Sequence, residues 1–153
     1  MSFFQTTEFY VIATMAAAAV VAACMRPPSR GEAIERLLAG RLCDVADPDL
    51  SPRVTLTCDE SGNVLLTRSG LSGLNEDCAV SVACTLVGDT LTIKERIVSS
   101  SRQAEPVDTA LFTLDFLRPG RYHVRYQSEQ TGLFAAFPLT VRPGNTITRP
   151  LRR

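Results

Sequence analysis

The chain has 153 residues, with sixteen Lys and Arg balancing sixteen Asp and Glu, so it carries no net charge at neutral pH. That length accommodates one hydrophobic core of ordinary size, and the neutral balance supplies no overall field to draw the molecule to nucleic acid. There is no tryptophan, a single histidine (His123), and no Cys/His spacing of the zinc-binding kind, so no metal and no cofactor are expected.

Residues 9–23 read FYVIATMAAAAVVAA, fifteen without charge between Glu8 and Arg26. A membrane-spanning helix needs about 20 apolar residues, whereas a signal-peptide core needs about 7–15 followed by small residues. The length favours a signal. The run ends in Val21-Ala22-Ala23-Cys24, which resembles the lipobox of bacterial lipoprotein precursors. The resemblance implies that residues 1–23 are a signal peptide, that cleavage falls before Cys24, and that Cys24 carries a lipid. It also implies a place in the bacterial envelope, on the periplasmic side or at the outer membrane. Against it, MSFFQTTE contains no lysine or arginine, whereas secretory signals begin with positive charge. The alternative is an uncleaved anchor, single-pass in the inner membrane, with Arg26 and Arg30 holding the following domain in the cytoplasm.

Residues 24–30 read as a proline-stiffened tether, and one domain is expected over residues 31–153. In GEAIERLLAGRLC, Ala33, Ile34, Leu37 and Leu38 fall at helical spacing, with Ser29 as a cap and early acids at Glu32 and Glu35. One short amphipathic helix ending near Gly40 is predicted. Beyond the acidic stretch to Pro52 the pattern turns to alternation with period two. RVTLTC (53–58) and NVLLTR (63–68) flank DESG and predict a hairpin. AVSVACTLV (79–87) and TLTIKERIV (90–98) flank Gly88-Asp89, a two-residue hairpin signal. After a polar loop (99–108), TALFTLDF places Ala110, Phe112, Leu114 and Phe116 on one side. In RYHVRYQ, Tyr122, Val124 and Tyr126 are predicted inward, and His123 and Arg125 outward. LFAAFPLTV and NTITRPL close the chain, and Pro138 indicates an edge strand or a bulge. Seven or eight short strands argue for a mainly β fold, an antiparallel sandwich behind one short helix.

LRPGRYHVRY (117–126) and FPLTVRPGNTITRPL (137–151) together resemble the end of transthyretin-like and carboxypeptidase-regulatory-like β-sandwich modules. In those modules a leucine, a Pro-Gly turn and Tyr-x-Val lead to a strand, a second Pro-Gly turn and a closing strand. The match covers about a quarter of the chain, and it implies a fold and no activity.

With Cys24 lipidated, four cysteines remain: Cys43, Cys58, Cys78 and Cys84. An even number in a small exported domain suggests two disulfides, with three possible connectivities. Strand parity turns Cys58 and Cys84 inward, which makes them one pair and leaves Cys43 with Cys78 as the other. The alternative is four reduced thiols, since cysteine is a common small core residue.

No constellation of catalytic residues is present. His123 reads as a solvent-facing strand residue, the serines of SSSR as loop, and the carboxylates Asp47/Asp49 and Glu76-Asp77 as solvated loop charge. From Phe116 onward there are seven arginines against one acid, Glu129. Arg121, Arg125, Arg142 and Arg149 form a candidate basic face for an anionic partner; the rival reading is dispersed residues that keep sheet edges from pairing. The expected function is that of an envelope lipoprotein, a non-catalytic binding or scaffolding module whose partners are the membrane, through its lipid, and other envelope proteins. The alternative is a membrane-anchored subunit of a larger membrane complex.

Overall fold

Where the sequence alternates, the strands alternate in burial. The computed structural model describes residues 32–153, which contain ten β-strands and no helix. Residues 53–98 form two hairpins, β3 (Arg53–Cys58) with β4 (Val64–Asn75), and β5 (Ala79–Val87) with β6 (Thr90–Val98). The second turns at Gly88-Asp89, so that Val87 faces Thr90. β7 (Pro106–Leu114), β8 (Gly120–Ser128), β9 (Phe134–Val141) and β10 (Thr146–Pro150) follow. Val54, Leu56 and Cys58, then Val80, Val82, Cys84 and Leu86, then Ala110, Phe112 and Leu114 are all buried, as their parity predicts.

The predicted helix over residues 31–40 is replaced by strands, β1 (Ile34–Ala39) and β2 (Arg41–Cys43). Its proposed cap, Ser29, lies outside the described residues. The helical spacing buries no stripe: Ile34 and Leu38 are half-buried against the core, while Leu37 stands 77% exposed. So short a segment forms too few internal hydrogen bonds to be a stable helix alone. The open side of β5 offers it a full ladder instead, from Ile34↔Leu86 to Ala39↔Ser81.

Two five-stranded sheets result, one in the order β1-β5-β6-β8-β9 and the other β10-β3-β4-β7-β2. All pairings are antiparallel except β6 with β8. Gly40 carries the chain from the first sheet to the second, its N–H donating to the Val80 carbonyl at 2.8 Å. A Cβ there would lie 2.8 Å from the Phe112 ring and 3.0 Å from the Val80 oxygen. The glycine read from sequence as a helix end is thus a point of close approach between a margin strand and the core. At the other margin a Phe134↔Arg152 bridge links β9 to the end of the chain, and Pro138 sits on β9, an edge strand as expected. The inner faces share one apolar cluster, with Leu56, Leu66, Leu91, Ile93, Phe112 and Leu114 sealed from solvent.

Candidate functional site

Inward parity on three strands brings ionisable side chains into the core. On β4 the inward series is Val64, Leu66, Arg68; on β6 it is Leu91, Ile93, Glu95; on β8 it is Val124, Tyr126, Ser128. Arg68 is 2% exposed and Glu95 fully buried. They meet across the two sheets, Arg68 Nε donating to Glu95 Oε2 at 2.7 Å. Arg68 Nη1 donates to the Ser69 carbonyl at 2.5 Å, and the Tyr126 hydroxyl donates to the same Glu95 oxygen. Burying two charges is tolerable because each has its partner and further hydrogen bonds. Glu95 Oε1 and Ser128 Oγ, on residues paired in register across β6 and β8, are buried without a partner. Burial and the Glu95 charge push the Tyr126 phenol well above its ordinary value, offset only in part by Arg68, so it stays a donor at neutral pH.

A cleft of about 480 Å³ opens beside this network. It lies where β4 breaks its register with β7 between Ser69 and Leu74, and Gly70, Leu71 and Ser72 of that irregular stretch line it. Leu50, Pro52, Leu71, Leu74 and Leu133 supply apolar walls. Polar groups come from Ser72, Ser99, Gln130 and Thr131, and two arginines, Arg68 and Arg153, line it with no acidic side chain among the lining residues. The Gln130 amide is fixed by a pair of hydrogen bonds to the Ile97 backbone. Such an arrangement can hold and orient an anionic or polar group beside apolar surface. Sequence reasoning missed Arg68 and Glu95, although the signal was present: each continues an inward apolar series by the same parity that was used for its neighbours.

The residues singled out from sequence fall in several places. Cys24 lies outside the described residues. Cys43, Cys58, Cys78 and Cys84 are free thiols, so neither expected pair is joined. Cys58 and Cys84 behave as small apolar core residues, and burial pushes the Cys84 thiol up to about 12. The Cys78 sulfur is engaged locally, accepting from the backbone N–H groups of Asn75 and Ser100 at 3.4 Å each. The four arginines do not share one sheet. Arg121 and Arg125 project from the outer face of the first sheet, where Lys94 and Arg96 of β6 join them. Arg149 is on β10 of the second sheet, 6.0 Å from the centre of the Phe137 ring, and Arg142 lies in the turn after β9. His123 is exposed on that outer face, opposite Pro138.

The acidic loop has a structural task. Asp47 and Asp49 form ion pairs with Arg53. Asp108 on β7 accepts the N–H of Val45 at 3.0 Å and of Asp47 at 3.3 Å, latching the loop down. These bonds, that from Val45 first, hold the Asp108 carboxyl below its ordinary value. Its folded pKa therefore lies below the unfolded one of about 3.9, so its stabilisation is complete above that value and is lost as pH falls through the folded pKa. In an NMR acid titration the Val45 and Asp47 amides should shift together with an apparent pKa under about 3.9, and Asp108→Ala should abolish that step.

No protein-family profile, curated protein or solved structure matches the chain. Among the described residues, no cluster of three or more His, Cys, Asp or Glu side chains could hold a metal ion.

Proposed function

We propose that this protein is a lipoprotein of the bacterial envelope, tethered through Cys24, whose β unit is a non-catalytic binding or scaffolding module. The observation that carries the reading is VAAC at the end of a fifteen-residue uncharged run, a short proline-rich stretch before the folded unit begins at Glu32. A signal core of that length suits export better than spanning. The sandwich then offers partners its outer faces and the cleft beside the buried ion pair. A second reading, an uncleaved single-pass anchor in a membrane complex, is favoured by the lack of basic residues before the apolar run.

Intact mass of the protein purified from its own host separates the two. Loss of residues 1–23 together with an added lipid mass is expected; an unmodified full-length chain would establish the anchor instead. Alkylation in denaturant without reductant should add four labels, one for each thiol that is free in the structure. Fewer labels, restored by reduction, would reinstate the expected disulfides.

A further inference from the structure

We infer that the cleft is a binding site for a small amphipathic carboxylate, with its headgroup on Arg68 and its tail against the leucines. Three observations lead there. Arg68 spends Nε and Nη1 on Glu95 and Ser69, while Nη2 takes no hydrogen bond in the network and is not among the sealed, unpaired atoms. Arg68 lines the cleft with 3% of its side chain exposed, and Nη2 is the nitrogen it has left to offer a ligand. The buried carboxylate behind it fixes the guanidinium in place, so little ordering is needed on binding. The second observation is the charge of the lining, with Arg68 and Arg153 present and no acidic side chain. Glu95 Oε1, the unpaired oxygen of the buried ion pair, is sealed from solvent and cannot attract a cation into the cleft. Third, Leu50, Pro52, Leu71, Leu74 and Leu133 give the remaining wall an apolar character that inorganic anions do not need. A headgroup with one charge fits better than a phosphate dianion, because the Glu95 carboxylate bonded to the same guanidinium repels a second negative charge.

This rests on the binding-module reading and supplies it with a ligand class. The full chain, held in nanodiscs of neutral lipid, would be titrated against 6,6,6-trifluorohexanoate and followed by the fluorine linewidth, with empty nanodiscs as the blank. Excess broadening is expected, reversed by hexanoate and not by equal concentrations of hexanol or hexylamine. Ser72→Trp, which fills the mouth from an exposed position and leaves the ion pair alone, should remove the broadening. Arg68→Lys keeps a cation for Glu95 but leaves no second nitrogen for the ligand, and should weaken binding at least about tenfold with the fold retained. Absence of displaceable broadening, equal competition by hexanol, or full binding by Ser72→Trp would each overturn the proposal. None of these results bears on the mass of the mature chain, so the tether stands or falls separately.

Discussion

Arg68→Met should destabilise the β unit by about 3–5 kcal/mol, because it leaves the fully buried Glu95 carboxylate with no cation. Equilibrium denaturation would show it as a lower midpoint with little change in slope, and thermal unfolding as a loss of roughly ten degrees or more. The charge is what makes the change costly, since methionine nearly matches arginine's aliphatic stem. The combined variant Arg68→Met, Glu95→Leu, Tyr126→Phe should therefore recover most of the loss, because apolar side chains of similar volume replace the whole network. The single losses would then sum to far more than the loss in the triple variant, as groups in one network do. If Arg68→Met costs under about 1 kcal/mol, the ion pair is solvated like a surface pair and not buried as described.

Gly70→Ala should cost about 2–4 kcal/mol, by a different route. Gly70 has φ +73°, and a Cβ there would lie 2.8 Å from Pro52 N, with the Ser51 carbonyl oxygen closer still. Both obstacles are backbone, so the 51–52 segment must move, and with it the hydrogen bond from Leu151 N to the Pro52 oxygen at 2.9 Å. Gly73→Ala is the control. Gly73 has φ +68° in open space and should lose only about 1–2 kcal/mol for the left-handed backbone. The difference between the two variants measures the close approach alone. Because Gly70 and Pro52 both line the cleft, Gly70→Ala should also alter ligand binding, whereas equal losses in the two variants would remove the clash from the account.

Much of the sandwich is legible in the chain because burial on a half-buried strand is a local, period-two property. Val80, Val82, Cys84 and Leu86 point inward whatever strand lies beside them, and Gly88-Asp89 makes its hairpin without outside help. The same parity places Arg68 and Glu95 inside, although the reading from sequence was not carried as far as these two residues. Residues 34–39 show the opposite case. Their apolar spacing suits a helix, and nothing within six residues reveals that β5 has an unpaired edge to receive them.

The sequence by itself therefore determined the inward face of most strands, the two hairpins and the apolar run ending at Cys24, since each depends on residues a few positions apart. Only the tertiary structure decided that residues 34–43 divide at Gly40 between two sheets. It alone brought Arg68 to Glu95, twenty-seven positions away in the chain, and set a cleft beside them. It likewise parted Arg121 and Arg125 from Arg149 and grouped them with Lys94 and Arg96. The reason is common to all three. A strand's partner, a buried charge's counter-ion and a surface's net field are fixed by contacts between distant segments, and which distant segments meet is settled only when the two sheets close over one core.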